Sequence, residues 1–327
     1  MRSLIRLGLA LAFIALAGCG KKADETTYTI AVIPKGTTHE FWKSIHAGAM
    51  KAQRELASNG VKVEVIWKGP LREDDRDQQI QVVESFTSRK VSGIVLAPLD
   101  SQALVSPVAS AVQAGIPVVV MDSGLKSDKY VSFVATDSFK GGQLAGEFLA
   151  KLLNGKGNVI LLRYAVGSAS TEEREKGFLD VMGKFPAIKL ISTDQYAGAT
   201  IETAYQTSQN LLNRFGDDLD GVFCVTELST IAMTKALRDI GKAGGKVKMI
   251  GFDAGSQSVL DMKNGDVQGL AVQNPMLMGY LSVMTMVKHL RGEKVESRID
   301  TGVVLVSPEN MERPDIKDLL QPPLAGL

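Results

Sequence analysis

The chain has 327 residues, 45% of them hydrophobic and 22% charged, which is ordinary for a globular protein and enough for about two domains. Its 37 basic and 36 acidic residues nearly balance, so the composition gives no sign of a nucleic-acid partner. Two cysteines, Cys19 and Cys224, are too few for a disulfide framework, so stability must come from an apolar core.

The N-terminus is predicted to be an export signal. A short basic leader precedes an apolar run over residues 7–17, which is too short to cross a bilayer and ends in Leu16-Ala17-Gly18-Cys19. This ending resembles a bacterial lipobox, which implies cleavage before Cys19, lipid on its thiol, and a position outside the cytoplasm at a membrane surface. We therefore predict a lipoprotein signal peptide over residues 1–18 and a flexible tether over residues 19–27. The alternative is an ordinary cleaved signal with a chance cysteine.

From Tyr28 onward, short apolar runs alternate with amphipathic stretches. Several of the runs lack polar alternation, which is typical of strands buried on both faces of a helix-covered parallel sheet. Strand followed by helix, repeated, predicts an α/β fold. The predicted strands cover residues 29–33, 61–66, 93–96, 117–121, 158–162, 221–225 and 247–252. The predicted helices cover residues 41–56, 74–87, 103–114, 141–153, 171–182, 201–215, 230–240 and 276–290.

The alternation falls into two similar halves. Each half has a strand that ends in an aspartate, Asp122 in the first half and Asp253 in the second. Doubly wound sheets bind ligands outside the carboxyl ends of their strands. A cleft between two such domains is therefore the expected place for a small molecule.

Catalytic and metal-binding signatures are sparse. Neither a G-x-G-x-x-G turn after the first strand nor a G-x-S-x-G elbow occurs. His39 and His46 are seven residues apart but lack further donors at metal-ligand spacing, so no metal site is predicted. Cys224 lies in an apolar strand and is expected to be a buried small hydrophobe rather than a nucleophile.

Polar and aromatic side chains follow several predicted strands, where a ligand in the cleft would lie. Carboxylates accept paired bonds from neighbouring hydroxyls, arginine donates a planar fork, and an aromatic ring covers the apolar face of a sugar. Simpler alternatives exist: the aspartates could cap helices, the aromatics could be core, and the arginine could pair on the surface with Glu172 or Glu173. The candidates are His39, Phe41, Trp42, Asp122, Arg174, Asp253 and Gln273.

The ordered set of motifs resembles the periplasmic sugar-binding proteins of the ribose-binding type, the substrate-binding components of ABC importers. The resemblance covers about residues 28–306. It implies two doubly wound parallel-sheet lobes joined by a three-crossing hinge, the type I periplasmic-binding-protein fold. It also implies that six of the candidates line the sugar site: Phe41, Trp42, Asp122, Arg174, Asp253 and Gln273. The segments that carry it include His39-Glu-Phe41-Trp42, the strand before Asp122-Ser123, Thr136-Asp137, Glu173-Arg174, Ile250-Gly-Phe-Asp253 and Val272-Gln-Asn-Pro275.

Four positions depart from the family pattern. His39 replaces a frequent asparagine, Ser123 follows Asp122 where ribose binders tend to have arginine, and Thr226 stands where asparagine is frequent. Ala199 occupies the place of a usual second aromatic residue. Because losing a buried hydrogen-bond partner costs on the order of 1–3 kcal/mol, we expect a ligand other than plain ribose: another pentose, a hexose, a polyol or a sugar derivative. His39 and Thr226 remain expected ligand contacts.

The resemblance further implies a two-lobed trap that closes on its ligand. Its partners would be a sugar-like small molecule, an ABC permease with its ATPase, and a membrane reached through lipid on Cys19. We expect a monomer in the periplasm or cell envelope, without a cofactor, a metal ion or nucleic acid. The expected boundaries are residues 27–135 and 274–299 for the first lobe, 136–273 and 300–312 for the second, and 313–327 for a C-terminal tail, with hinge crossings near Thr136, Asn274 and Asp300.

Three other functions use parts of the same pattern. A sensor that presents ligand to a chemoreceptor or sensor kinase has the same fold, and the sequence does not separate it from a transport protein. A sugar-responsive repressor would need an N-terminal helix-turn-helix, where the predicted export signal stands. A sugar-processing hydrolase would need Asp122 and Asp253 to flank a scissile bond. We expect a binding protein and no enzyme.

Overall fold

The computed structural model describes residues 27–321, so the predicted signal peptide, the lipidation site Cys19 and residues 322–327 lie outside the described part. Within it, two six-stranded sheets form two α/β lobes. None of the helices described there is both long and apolar enough to cross a membrane.

The elements alternate along the chain as the sequence predicts. In order they are β1 (Tyr28–Ile33), α1 (Glu40–Ser58), β2 (Val63–Trp67), α2 (Arg76–Ser88), β3 (Gly93–Leu96), α3 (Val105–Gln113), β4 (Val118–Met121), β5 (Ser132–Ala135), α4 (Ser138–Leu152), β6 (Lys156–Leu162), α5 (Ala169–Met182), β7 (Ala187–Ser192), α6 (Ile201–Phe215), β8 (Gly221–Cys224), α7 (Glu227–Asp239), β9 (Lys248–Phe252), α8 (Ser256–Lys263), β10 (Gly269–Gln273), α9 (Pro275–Leu290), β11 (Arg298–Asp300), β12 (Val303–Val306) and α10 (Pro314–Leu320).

The two sheets have equivalent strand orders. The first runs β11-β5-β4-β3-β1-β2 and the second runs β12-β10-β9-β8-β6-β7. The first sheet is parallel, as expected, but β12 is an antiparallel edge strand of the second. Val303 at the start of β12 pairs with Gln273 at the end of β10, so the strand enters from the hinge and must run in the opposite direction.

Each sheet buries an apolar cluster on both of its faces. Helices α1 and α9 cover one face of the first sheet, and α2 and α3 cover the other. Helices α4 and α5 cover one face of the second sheet, and α6, α7, α8 and α10 cover the other. Every residue of β3, β4, β8 and β10 is buried, which confirms that the missing polar alternation marks two-sided burial.

The apolar core of the second lobe contains two residue groups for which the sequence makes a prediction: Cys224 and the C-terminal segment. Cys224 is fully buried among apolar side chains, and burial raises the pKa of its thiol, so the prediction of a buried hydrophobe is confirmed. The segment predicted as a C-terminal tail contains α10, whose Ile316 and Leu320 are buried in the same core. This end of the chain is therefore part of the second lobe's packing.

The chain passes between the lobes three times: between β5 and α4, between β10 and α9, and between β11 and β12. Two of these crossings lie side by side. The hydroxyl oxygens of Thr136 and Thr301 are 3.2 Å apart, and the Asp137 amide donates to the Asp300 carboxylate at 3.1 Å. The Asn274 side chain accepts from the Leu277 amide and caps α9 at the third crossing.

Candidate functional site

A cavity of about 450 Å³, including its mouth, lies between the lobes at the carboxyl ends of β1, β4, β9 and β10. The fold brings together in its wall all the residues that the sequence singles out as ligand contacts: His39, Phe41, Trp42, Asp122, Arg174, Thr226, Asp253 and Gln273. It also places there Lys35, Glu73, Tyr164, Ser170, Thr171, Glu227 and Leu228, which sequence reasoning missed.

Asp122 and Asp253 occupy equivalent positions, each directly after a buried central strand. Both have left-handed backbone geometry, with φ of 62° for Asp122 and 66° for Asp253. Apart from glycine, aspartate and asparagine adopt this conformation most readily, and residues held in it cluster at functional sites. Neither carboxylate caps a helix; the cap residue of α8 is Gly255. The helix-capping alternative is therefore wrong.

Lys35, at the exit of β1, supplies the cation for Asp122. Its Nζ lies 3.1 Å from Asp122 Oδ2, and each side chain is at most 5% exposed. The same ammonium donates to Ser170 Oγ of the second lobe at 3.3 Å. Ser123, where ribose binders tend to have arginine, accepts a hydrogen bond from the Ser170 amide at 3.1 Å. The ion pair therefore stays within the first lobe, while its surroundings join the two lobes.

Arg174 is buried in the second wall of the cavity, so the surface-pairing alternative is wrong. Its Nη1 donates to the Val225 carbonyl at 2.8 Å and lies 3.9 Å from Asp253 Oδ2, and its guanidinium stacks 3.7 Å over the Phe252 ring. Helix α5 reaches this position because it packs against α4 at Gly142, where a Cβ would lie 1.9 Å from the Arg174 carbonyl oxygen.

Two buried polar atoms of this wall lack a partner within residues 27–321: Arg174 Nε and Gln273 Oε1. The Gln273 amide nitrogen is engaged, because it donates to Asp253 Oδ1 at 2.7 Å. Burial raises the pKa of Asp253, although the Arg174 charge and the Gln273 hydrogen bond oppose this effect. Buried polar groups normally have partners, so one free donor and one free acceptor beside a cavity indicate a polar ligand.

Glu73, on the loop after β2, accepts hydrogen bonds from both lobes. Trp42 Nε1 donates at 2.8 Å, Tyr164 donates from the second lobe at 2.9 Å, and His39 Nδ1 lies 3.2 Å away. Burial would raise the pKa of Glu73, but the bond and charge of His39, the Lys35 charge and the indole donor outweigh it and lower the pKa to about 2. For His39 the effects have the opposite signs. Burial would lower its pKa, but the hydrogen bond and charge of Glu73 outweigh burial and raise the pKa.

Phe41 and Trp42 form an edge-to-face pair with ring centroids 5.0 Å apart and planes at 86°. Trp42 is 2% exposed and belongs to the core of the first lobe, so the core alternative holds for its ring. Phe41 is only half-buried and lines the cavity. A wall of this kind suits the apolar face of a ligand.

Thr226 and Glu227 begin α7 at the edge of the cavity. The Thr226 hydroxyl is engaged in a capping box with Ser229 at the start of the helix. The Glu227 carboxylate makes no hydrogen bond or ion pair in the described part of the chain. Burial and the Asp253 charge raise the pKa of Glu227 to about 7, although the His39 charge opposes them.

No group of three or more potential ligands among the described residues is placed to hold a metal ion. His46 does not join His39, since its ring stacks on Trp67 with centroids 4.5 Å apart.

The geometry agrees with that of known proteins. A model of the periplasmic binding protein domain matches residues 30–294. The ribose import binding protein of Haemophilus influenzae is 30% identical over 94% of this chain and 98% of its own length. A carbohydrate transporter solute-binding protein of Agrobacterium radiobacter, solved with D-arabinose, superposes with a TM-score of 0.84, is 33% identical, and is matched over 90% of this chain and 99% of that one.

A second solved structure gives the same result. An ABC transporter solute-binding protein of Agrobacterium vitis, with bound D-fucose, is 34% identical with a TM-score of 0.84 over 90% of this chain and 100% of that one. These relatives are binding proteins of transport systems, not enzymes, which agrees with the absence of a catalytic motif in the sequence. The chain belongs to the periplasmic binding protein family and is of its ribose-binding type.

Proposed function

We propose that the protein captures a sugar or related polyhydroxylated molecule in the cavity between its lobes and delivers it to an ABC importer. The observation that carries this proposal is the pair of unpartnered buried atoms, Arg174 Nε and Gln273 Oε1, beside the carboxylates of Asp122 and Asp253. A hydroxylated ring supplies both donors and acceptors, so it can satisfy all four groups at once.

Contacts across the cleft support hinge closure as the mechanism. Tyr164 reaches Glu73 at 2.9 Å, the Ser101 amide donates to the Gly167 carbonyl at 2.9 Å, and Lys35 reaches Ser170. These groups belong to different lobes and separate if the hinge opens. A ligand that bridges the walls would add contacts only in the closed arrangement and so shift the equilibrium toward it.

The partners follow from the same proposal. The closed lobes dock on a membrane permease whose ATPase powers import, and the protein works as a monomer in the periplasm or cell envelope. Cys19 would carry the lipid that holds it at a membrane, with the polar residues after it as a tether. The sugars named for the relatives, ribose, arabinose and fucose, define the first ligands to examine.

A thermal-shift panel tests the proposal. Pentoses, hexoses, polyols and sugar acids are each added to the purified protein and the midpoint of unfolding is measured. A ligand at a hundred times its Kd stabilises the folded state by about 2.7 kcal/mol, so at least one sugar or polyol should raise the midpoint by several degrees. The absence of a shift for every compound would contradict sugar binding.

A further inference from the structure

A second cavity adjoins the first. It encloses about 750 Å³, including its mouth, and the two share Phe41, Glu227, Asp253 and Gln273 in their walls. The two cavities therefore meet at these four side chains. Its remaining lining comes from Glu40, Ser44, Ala254, Gly255, Ser256, Val272, Pro275 and the end of α10 at Leu319, Leu320 and Gln321.

The charges around the two cavities do not balance. Each basic side chain of the first cavity already has a carboxylate beside it: Lys35 with Asp122 at 3.1 Å, His39 with Glu73 at 3.2 Å, and Arg174 with Asp253 at 3.9 Å. Glu40, in the second cavity, accepts from the Ser256 amide at 2.7 Å and from the Ser256 hydroxyl at 2.8 Å. Glu227 is the carboxylate left over, with no hydrogen bond or ion pair within residues 27–321.

The charged side chains that line the second cavity are all carboxylates. Its described lining includes Glu40, Glu227 and Asp253 but no lysine, arginine or histidine. Gln273 is 2% exposed and lines both cavities, and its Oε1 is a buried acceptor without a donor in the described chain. A carboxylate and an amide oxygen beside one space can be satisfied only by a group that donates hydrogen bonds.

We propose, on the basis of the sugar-binding function above, that the second cavity is a subsite for an amine-bearing substituent of the ligand, with Glu227 as its counter-ion. Gln273 Oε1 lines both cavities and has two lone pairs, so it accepts one hydrogen bond from the sugar ring and a second from the amine. An ammonium group donates up to three hydrogen bonds and neutralises the unpaired carboxylate. A carboxylate or phosphate in the same place adds like charge beside Glu40, Glu227 and Asp253. The site therefore prefers cationic over neutral sugars, and neutral over anionic ones.

The titration of Glu227 is consistent with this assignment. Burial and the charges of Asp253, Glu40 and Glu73 raise its pKa to about 7, and the charge of His39, which already faces Glu73, opposes this only in part. A carboxylate that holds its proton up to neutral pH lacks a cation, and an ammonium placed beside it supplies one.

Two matched sugar series test the proposal, each differing only in the group on C6. One has the configuration of D-fucose and consists of D-galactose, 6-amino-6-deoxy-D-galactose and D-galacturonate. The other extends D-ribose and consists of D-allose, 6-amino-6-deoxy-D-allose and D-alluronate. Kd is measured by isothermal titration calorimetry at pH 7.5 for the full mature chain. The wild type is compared with Glu227→Gln and with the matched control Glu202→Gln, since Glu202 is exposed.

In at least one series the amine should bind at least tenfold more tightly than the neutral sugar, and the uronate at least tenfold more weakly. Glu227→Gln should reduce the amine-to-neutral ratio by at least fivefold, whereas Glu202→Gln should preserve it. A uronate that binds as tightly as the neutral sugar, an amine without advantage, or an unchanged ratio in Glu227→Gln would overturn the subsite. So would binding of D-arabinose or D-ribose without binding of any of the six probes. If no sugar of any kind binds, the proposed function itself fails, and the two failures are thereby distinguished.

Discussion

Glu73 and Glu227 are two carboxylates in the wall of one cavity, yet their pKa values shift in opposite directions. Burial acts on both, but Glu73 has the His39, Trp42 and Tyr164 side chains around it, and its pKa falls to about 2. Glu227 has no such donors, and its pKa rises to about 7. The comparison teaches that the number of donors facing a buried carboxylate, more than its depth, decides its charge state.

The same contrast separates the two walls as a whole. In the first lobe, Asp122 forms a close ion pair with Lys35, so the protein itself balances the charge of this carboxylate. In the second lobe, Asp253 has a more distant Arg174 and leaves Gln273 Oε1 without a donor. The second lobe therefore presents the polar groups that lack a partner and are available to a ligand. The polar groups of the first lobe are already paired with one another.

The largest effect is expected from Glu73→Gln. Because the folded-state pKa of Glu73 lies below its ordinary value of 4.5, the carboxylate stabilises the fold above pH 4.5, and this stability is lost as the pH falls through about 2. The shift corresponds to about 3 kcal/mol. Urea denaturation should show wild type more stable than Glu73→Gln by about this amount at pH 6, and the difference should shrink toward zero as the pH approaches 2.

The exposed Glu64 of β2 provides the control, because Glu64→Gln should change the free energy of unfolding little and equally at both pH values. A difference for Glu73→Gln that stays constant with pH would show that its donors do not hold the carboxylate in its charged form.

A smaller effect of opposite sign is expected from Glu227→Gln. The folded-state pKa of Glu227 lies above its ordinary value, so the stabilising neutral form is fully present below pH 4.5 and is lost as the pH rises through about 7. At pH 8 the wild-type protein therefore carries an unpaired charge at a half-buried position. The pKa shift is as large as that of Glu73, but solvent partly screens the half-buried Glu227 carboxylate, so a smaller energy is expected. Without ligand, Glu227→Gln should be more stable than wild type by about 2 kcal/mol at pH 8, and this gain should disappear near pH 4.

Glu202 again serves as the control, since it lies in the first turn of α6 as Glu227 lies in the first turn of α7, but is exposed. Glu202→Gln removes only a favourable charge at a helix N-terminus, so it should not increase the free energy of unfolding at pH 8. If Glu227→Gln is less stable than wild type at pH 8, its carboxylate has a partner and the contrast with Glu73 disappears.

Much of the fold is predictable from the sequence because its strands are buried on both faces and its helices are amphipathic. Seven strands and eight helices lie where apolar runs and helical periodicity place them, with ends that differ by a few residues, whereas the inner strands β5 and β10 are not among the predicted ones. Helix α7 begins at Glu227 rather than at residue 230, because Thr226 and Ser229 form a capping box that periodicity does not detect. The edge strand β7 is not predicted, because four of its six residues are exposed or half-buried and Lys189 interrupts its apolar residues.

The candidate site was predictable where it follows strand ends and not where loops create it. Asp122 and Asp253 stand out because each closes an apolar run. Glu73 lies among charged neighbours on a loop that reads as solvated, and only the packing of that loop against Trp42 and Tyr164 buries it. Lys35 comes two residues after the end of β1, much as the aspartates follow their strands. Its position at a strand end could therefore have predicted its place beside the cavity.

The affinity of the Asp253→Asn variant for the best sugar of the panel tests the central claim most directly. Asparagine tolerates the left-handed backbone of this position, so the fold should persist while the charged acceptor is lost, and Asp180→Asn, on the exposed face of α5, serves as the control. Loss of one buried hydrogen-bond partner to a ligand costs on the order of 1–3 kcal/mol, so calorimetry should show the Kd rise at least fivefold in Asp253→Asn and remain unchanged in Asp180→Asn. A Kd for Asp253→Asn within twofold of wild type would contradict the placement of the ligand in this cleft.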